Sequence, residues 1–198
     1  MEHYFTKKPK SKIKPHCFRQ TLLGNELVFH TGSGVFSIKK IDRGTQVLIE
    51  NCIVEDGWDV LDMCCGYGPV GISLKAKHEI KLVMTDINKR ALKFASENLK
   101  ENNANAEIVS GSLYENVEGK FNTIIVNPPQ TAGKDVCMEI IRQAPGYLKE
   151  GGSLQLVARH NKGGKSLSKE MEKVFGNVND VAKKSGYRVY VSYLMSGK

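Results

Sequence analysis

The fold of this chain is decided by the stretch Trp58-Asp59-Val60-Leu61-Asp62-Met63-Cys64-Cys65-Gly66-Tyr67-Gly68-Pro69-Val70-Gly71. It begins as an apolar strand, turns at two glycines and continues into a segment, 69–77, that suits a helix. Gly66 and Gly68 tolerate a positive φ and let the backbone approach a ligand closely. The start of the following helix offers unpaired N–H groups and a positive dipole end. The stretch therefore predicts a ligand-binding turn after a buried strand.

A second strand, Lys81-Leu82-Val83-Met84-Thr85-Asp86, ends in an acid twenty residues after Gly66. Doubly wound folds place a carboxylate there that accepts hydrogen bonds from a ribose. The dinucleotide fingerprint G-x-G-x-x-G fails, because Gly71 arrives one residue early. Asp62 would repel a pyrophosphate, whereas it could hold the ammonium of a methionine or cap the turn. The pattern favours S-adenosylmethionine over a dinucleotide as the cofactor.

A third motif, Asn127-Pro128-Pro129, follows the apolar run Thr123-Ile124-Ile125-Val126. Two successive prolines cannot donate to a sheet ladder, so the strand must stop there. The Asn127 amide and nearby backbone carbonyls are then left as acceptors at a strand's carboxyl end, which suits a planar nitrogen that gains a methyl group. A turn in which Asn127 caps the next helix is the simpler interpretation of the motif taken alone.

Together these motifs resemble class I methyltransferases of the N-P-P type. Over roughly residues 20–195, the chain is similar to the catalytic domain of the ribosomal RNA small-subunit guanine-N2 methyltransferase family. The further segments that extend the similarity are Gly34–Ser37, Asp42–Glu50, Ala132–Lys134, Gly164–Leu167 and Val174–Val178. The resemblance implies methyl transfer from S-adenosylmethionine to a guanine of structured RNA, either rRNA or tRNA. Gln130 stands where many N-P-P enzymes carry an aromatic residue, so both the exocyclic N2 and the ring N7 remain open as targets.

The predicted fold class is α/β: Rossmann-like and doubly wound, with a mainly parallel seven-stranded sheet and an antiparallel C-terminal hairpin. Ligands of such sheets bind outside the carboxyl ends of the strands. The predicted cofactor-binding residues are Asp62, Gly66, Gly68, Asp86, Ile87, Ser112, Leu113 and Asn127. The predicted catalytic residues are Asn127, Pro128 and Pro129. The side-chain carbonyl of Asn127 and the backbone carbonyl of Pro128 would stabilise the charge that develops on the attacking nitrogen. By resemblance alone, 34–37 closes over the cofactor.

The chain divides into a basic N-terminal segment, 1–20, and one methyltransferase domain, 21–198, which begins with a strand pair and a helix over 21–57. The strand pair spans 21–37, and Asp42 caps a helix that runs to about Ile53. Beyond it, the predicted strands are 59–64, 81–86, 106–110, 122–126 and 153–159. The predicted helices are 69–77, 88–102, 134–149 and 164–175, with Asn88 as the cap of the second. A hairpin of 178–183 and 187–194 ends the domain.

Charge is concentrated at the two ends of the chain. Of the formal net charge of +8, residues 1–20 carry +5 and residues 159–198 carry +6, while residues 21–158 carry −3. Basic ends on an acidic core predict a footprint for a phosphate backbone. Solvated surface lysines are the alternative. The candidate RNA-binding residues are Lys7, Lys8, Lys10, Lys12, Lys14, Lys162 and Lys165.

Composition narrows the class of protein further. A chain of 198 residues suits one domain, and no run approaches the roughly 18 apolar residues of a membrane span. Five cysteines without C-x-x-C spacing indicate a reduced, cytoplasmic protein, and no histidine pair has the spacing of a metal site. Two other functions remain: a protein methyltransferase acting on a glutamine amide, which also uses N-P-P, and a catalytically silent RNA-binding module.

Overall fold

Nine strands and five α-helices follow one another in a computed structural model that describes residue 7 and residues 12–195. The strands are β1 (Pro15–Leu22), β2 (Asn25–Gly32), β3 (Asp59–Met63), β4 (Lys81–Asp86), β5 (Glu107–Ser110), β6 (Phe121–Val126), β7 (Leu148–Arg159), β8 (Asn179–Lys184) and β9 (Tyr187–Tyr193). The helices are α1 (Arg43–Asn51), α2 (Pro69–Lys77), α3 (Lys89–Glu101), α4 (Lys134–Gln143) and α5 (Lys165–Phe175). In the described part of the chain, no helix is long and apolar enough to cross a membrane.

The main sheet has the strand order β5-β4-β3-β6-β7-β9-β8. The five strands from β5 to β7 are parallel, and β9 runs antiparallel to both β7 and β8. The central strands are apolar on both faces because helices cover both; Val60, Leu61 and Ile124 are fully buried. The predicted fold class is confirmed. Successive strands from β3 to β5 lie toward one edge of the sheet, whereas β6 and β7 lie toward the other, so the strand order switches between β3 and β6. A ligand crevice is expected at the carboxyl ends of these two strands.

The predicted helix caps are present. Asn88 accepts hydrogen bonds from the N–H groups of Arg90 and Ala91 at 3.0 and 3.2 Å, and so caps α3. Asp42 caps α1 by accepting from the N–H groups of Gly44 and Thr45 at 2.9 and 3.3 Å. These short side chains satisfy donors that a helix start leaves unpaired.

Two stretches of the chain depart from the predicted boundaries by more than two residues. The helix predicted for 134–149 ends at Gln143, because Pro145 and Gly146 interrupt it with a 3₁₀ turn, and β7 already begins at Leu148. The N-terminal strand pair begins at Pro15 instead of residue 21. Its ladder pairs Pro15 with Gly32 and continues unbroken to the turn, so part of the segment predicted as exposed is a strand. The sequence did not predict this part of the strand, because the lysines and prolines just before it lower strand propensity.

The β1–β2 hairpin forms its own two-stranded sheet and is held by α3. Asn98 accepts from His30 N–H at 2.6 Å and donates to the carbonyls of His30 (3.0 Å) and Tyr67 (2.9 Å). One turn later, Asn102 makes the same pair of bonds with Val28, at 2.9 and 2.8 Å. Two asparagine side chains thus cover the open edge of β2, which would otherwise leave unpaired backbone groups.

Candidate active site

A cavity of about 240 Å³ opens at the carboxyl ends of β3, β4, β5 and β6. Most of the predicted cofactor and catalytic residues line it, namely Asp62, Gly66, Asp86, Ile87, Ser112, Leu113, Asn127, Pro128 and Pro129. They come from four separate loops, and the parallel sheet brings these together because it ends all four strands at one edge. Of the predicted cofactor residues, Gly68 does not line the cavity.

Gly68 has a packing role instead. Its φ of +93° lies in the left-handed region, and a Cβ there would approach Met84 Cε to 2.7 Å and Ile72 Cδ1 to 2.8 Å. It stands immediately before α2, whose first residue is Pro69. This glycine therefore lets the turn close against β4 and α2, and its contact with the cofactor stays a prediction.

Asp86 joins the two loops on the β3–β4 side of the cavity. Its Oδ2 accepts from Gly66 N–H at 2.9 Å, and its Oδ1 accepts from Asn88 N–H at 2.8 Å. Burial raises the pKa of Asp86, while these backbone hydrogen bonds act in the opposite direction. A carboxylate offers about four acceptor positions, so the group can hold the glycine turn and still accept a hydrogen bond from a ribose.

Asp62 is a buried carboxylate at the floor of the cavity, 2 % exposed. Its Oδ2 accepts from Gly71 N–H in the first turn of α2 at 2.9 Å. Burial raises its pKa to about 7, and the nearby carboxylate of Asp86 adds to this increase. A positive charge in the cavity would favour the ionised form of both acids. The two predicted roles, turn cap and ammonium partner, are compatible.

The segment 33–37 borders the cavity through Phe36, whose side chain is 39 % exposed. Asn88 donates to Gly34 O at 2.7 Å, and Arg90 donates to Ser33 O at 2.8 Å. The hydroxyl of Tyr67, in the glycine turn, donates to Ser37 O at 3.3 Å. Three side chains thus hold this segment against the start of α3 and the glycine turn, beside the position predicted for the ribose.

Asn127 meets two residues that sequence reasoning did not assign to the site. Its side-chain nitrogen donates to Thr45 Oγ1 at 2.8 Å and lies 3.5 Å from Asp42 Oδ2. The Thr45 hydroxyl in turn donates to Asp42 Oδ2. Both Asp42 and Thr45 line the cavity. The sequence offered two signals, the helix-cap pattern at Asp42 and the family resemblance over Asp42–Glu50, and neither indicates a partner 85 residues away.

Cys64 and Cys65 also line the cavity, and neither is suited to act as a nucleophile. Burial, with smaller contributions from the carboxylates of Asp62 and Asp86, raises the pKa of both thiols well above the ordinary value. The thiols therefore remain protonated at neutral pH, and a thiolate is the reactive form. Cys64 also ends β3 one residue earlier than predicted, because its φ of +58° is left-handed.

Five of the candidate RNA-binding lysines are described, and they fall in two exposed groups. Lys89 N–H donates to Lys7 O at 3.2 Å, and Ser33 donates to the carbonyls of Lys12 and Lys14, which places these three lysines beside α3 and the end of β4. Lys162 and Lys165 are exposed in the turn after β7 and at the start of α5. Since β4 and β7 are three strand spacings apart, the two groups are separated by about 14 Å of sheet. Lys8 and Lys10 lie outside the described residues.

The chain matches the methyltransferase small domain family over residues 26–191. Protein YbxB of Bacillus subtilis, which bears the description "uncharacterized", is 36% identical over 195 residues, covering 95% of this chain and 96% of that protein. Ribosomal RNA small subunit methyltransferase C of Mannheimia succiniciproducens is 35% identical over 178 residues, covering 87% of this chain and 52% of that protein. The chain thus spans about half the length of the ribosomal RNA methyltransferases that it matches.

Among solved structures, the 16S rRNA N2 G1207 methyltransferase of T. Thermophilus, in complex with AdoMet and guanosine, superposes with a TM-score of 0.80 at 24% identity. The match covers 93% of this chain and 52% of that one. A methyltransferase from Pyrococcus furiosus gives a TM-score of 0.66 at 20% identity, over 72% of this chain and 78% of that one. At these identities, the matches establish the shared fold.

Proposed function

Because the chain belongs to the methyltransferase small domain family, we propose that it transfers the methyl group of S-adenosylmethionine to a guanine of structured RNA. The observation that carries this proposal is the convergence of Asn127-Pro128-Pro129 with Asp62, Gly66 and Asp86 on one cavity. A methyl donor and a nitrogen acceptor must meet within one enclosed space, and here the acceptor motif and the cofactor motifs share it.

The chemistry of the lining residues fits this cofactor. The acceptor oxygens of Asp86 suit ribose hydroxyls, and the buried carboxylate of Asp62 suits an ammonium group. Ile87 and Leu113 give an apolar surface for adenine beside Ser112. Gly66, with a φ of +60° and no atom within 4 Å of a Cβ position, exposes its backbone to the cavity. When bound, S-adenosylmethionine supplies a methyl group already activated by a sulfonium.

The protein's catalytic task is alignment and charge stabilisation. Transfer of the methyl group to a guanine nitrogen would place a growing positive charge on that nitrogen. The carbonyl oxygens of Asn127 and Pro128, at the end of β6, accept hydrogen bonds from the N–H groups of the attacking nitrogen and stabilise this charge. At N2 a proton then leaves to solvent. At N7 no proton leaves, and Asn127 orients the base edge instead.

The positive charge of exposed lysines supports RNA as the substrate. Lys162 and Lys165 are exposed after β7, and Lys7, Lys12 and Lys14 are exposed beside the start of α3, so a phosphate backbone can cross the carboxyl edge of the sheet between the two groups. His160 lies in the same basic surroundings: burial, followed by the charges of Arg188 and Lys165, lowers its pKa. Methylation inside such a cavity requires an unpaired or flipped base, which folded RNA offers in its loops.

The test is transfer of labelled methyl from S-adenosylmethionine into total RNA, DNA and protein, followed by nucleoside mass spectrometry. The proposal expects label in RNA, as N2-methylguanine or N7-methylguanine. Label on a protein glutamine would establish the alternative protein substrate. Binding of RNA without transfer to any of the three pools would indicate a silent RNA-binding module.

A further inference from the structure

We infer that Asp42 and Thr45 are positioning residues that fix the orientation of the Asn127 amide, an inference that rests on the proposed catalytic role of Asn127. The three side chains form a chain of hydrogen bonds with a defined direction: the Thr45 hydroxyl donates to the Asp42 carboxylate, and the Asn127 nitrogen donates to the Thr45 oxygen at 2.8 Å. All three residues line the cavity, and Thr45 is 3 % exposed.

The direction of this chain follows from the donor inventory of each group. An ionised carboxylate only accepts, so the single proton of the Thr45 hydroxyl is committed to Asp42. The Thr45 oxygen can then only accept, and this selects the NH₂ end of the Asn127 amide. Asn127 is thereby left with its carbonyl oxygen as the group that meets a substrate N–H. With the amide reversed, its NH₂ group would face that N–H, and two donors would oppose each other.

The Asp42 carboxylate does more than cap a helix. Its Oδ1 alone accepts from the N–H groups of Gly44 and Thr45, which is all that a cap requires. Its Oδ2 is the oxygen that accepts from the Thr45 hydroxyl and lies 3.5 Å from the Asn127 nitrogen. A neutral Ser or Asn would cap the helix equally well. The negative charge of Asp42 is therefore explained by the contacts of Oδ2 with Thr45 and Asn127. That charge also polarises the Asn127 carbonyl toward a stronger acceptor.

Helix α1 is fixed at its other end too, so the distance to Asn127 is well defined. Just beyond its last turn, Ile53 N–H donates to Gln155 Oε1 at 2.8 Å, and the Gln155 side chain donates back to Ile53 O at 2.6 Å. Gln155 is fully buried in β7, the neighbour of β6. The helix therefore presents Asp42 and Thr45 to the end of β6 from a rigid support.

The test compares Thr45→Val, Thr45→Ser and Asp42→Asn with the wild-type protein, using unmodified 16S ribosomal RNA transcribed in vitro. Thr45→Val keeps the shape and removes the hydroxyl, and it should lower kcat about tenfold or more with little change in KM or in cofactor affinity. Thr45→Ser should restore most of kcat. Asp42→Asn keeps an oxygen for the cap but turns an NH₂ group toward Thr45, and it should lower kcat like Thr45→Val.

Ser192→Ala is the matched control. Ser192 is a fully buried residue of β9 whose hydroxyl donates to Asn177 O at 2.6 Å, and it does not line the cavity. Its loss should lower the melting temperature and leave kcat unchanged. A kcat within twofold of wild type for Thr45→Val, or a Thr45→Ser variant as slow as Thr45→Val, would overturn the inference.

A second readout separates this inference from the proposed function. The side-chain NH₂ protons of Asn127, observed by ¹⁵N NMR in the wild-type protein, should exchange slowly with solvent and should lose this protection in Thr45→Val. If the wild-type protein methylates neither this RNA nor total RNA, the proposed function fails. Whether or not the protein methylates RNA, equal exchange rates of the Asn127 NH₂ protons in the wild-type protein and in Thr45→Val would overturn the inference.

Discussion

Asp86 shows how one side chain can serve both the fold and the site. The sequence suggested a ribose acceptor whose loss leaves the fold intact, and the structure adds two backbone N–H groups, of Gly66 and Asn88, that depend on the same carboxylate. We expect Asp86→Ala to weaken S-adenosylmethionine binding at least about tenfold, because charge-assisted hydrogen bonds contribute about 1.5–3 kcal/mol each. Calorimetry measures the affinity, and an unchanged value would remove Asp86 from the site.

The same substitution should also lower stability, by about 1–3 kcal/mol, since two backbone donors lose their acceptor. Asp86→Asn retains one acceptor oxygen and should be less destabilising. Urea unfolding of both variants separates the structural part of the effect from the loss of ribose hydrogen bonds.

Asn127 carries the prediction for catalysis. Asn127→Ala should reduce methyl transfer about a hundredfold or more, since it removes an acceptor that acts in the transition state. Cofactor affinity should remain close to that of the wild-type protein, because the proposed partner of Asn127 is the target base. Single-turnover transfer to RNA measures the rate, and near-normal turnover would contradict the catalytic assignment.

Asp62 makes cofactor binding depend on pH. Its pKa is raised from 3.8 to about 7, so the folded protein holds a proton there that the unfolded chain has lost. This group therefore lowers stability as pH rises from about 4 to about 7. An ammonium partner requires the ionised form, so S-adenosylmethionine affinity should rise roughly eightfold between pH 6 and pH 7.5. Asp62→Asn should abolish this dependence, and an equally steep profile in that variant would assign it to another group.

At the scale of elements, α3 and the β1–β2 hairpin depend on two asparagines. Asn98 is fully buried and makes three hydrogen bonds to the backbone of β2 and the glycine turn. We expect Asn98→Ala to destabilise the protein by about 2–4 kcal/mol, because several buried groups lose their partner at once. Asn102→Ala, one turn away and partly exposed, should cost less. Urea unfolding measures both, and equal losses would contradict the role of burial.

The element boundaries show which local signals can be trusted. The helix at 69–77 and the strand at 81–86 were predicted with the observed bounds, because Pro69 and the apolar run are local features. The helix after Lys134 was predicted too long. Its apolar pattern continued, but Pro145-Gly146 broke the backbone and Leu148 found a partner in Phe121 of β6. Strand pairing of this kind depends on a distant segment and overrides local periodicity.

At the scale of the whole molecule, charge should determine RNA affinity. Replacing Lys162 and Lys165 by Gln should weaken RNA binding and lower the slope of log affinity against log salt by roughly 0.7–0.9 for each phosphate that is no longer bound. Lys77 and Lys120 are matched controls, since they are exposed at the opposite, amino edge of the sheet. Their replacement by Gln should leave the slope unchanged. Equal effects of the two pairs would show that the position of these lysines is unimportant.

The sequence alone determined the fold class, the order of the elements and nine of the residues that line the cavity. These follow from local rules: apolar runs, a glycine turn, a double proline and an acid at a strand end twenty residues after Gly66. Only the tertiary structure showed that Gly68 packs closely against β4 and α2, and that Asn127 is held by Thr45 and Asp42, 82 and 85 residues earlier in the chain. Such hydrogen bonds depend on how α1 packs against β7 and β9, next to the end of β6, and no local pattern in the chain encodes a bond between side chains so far apart.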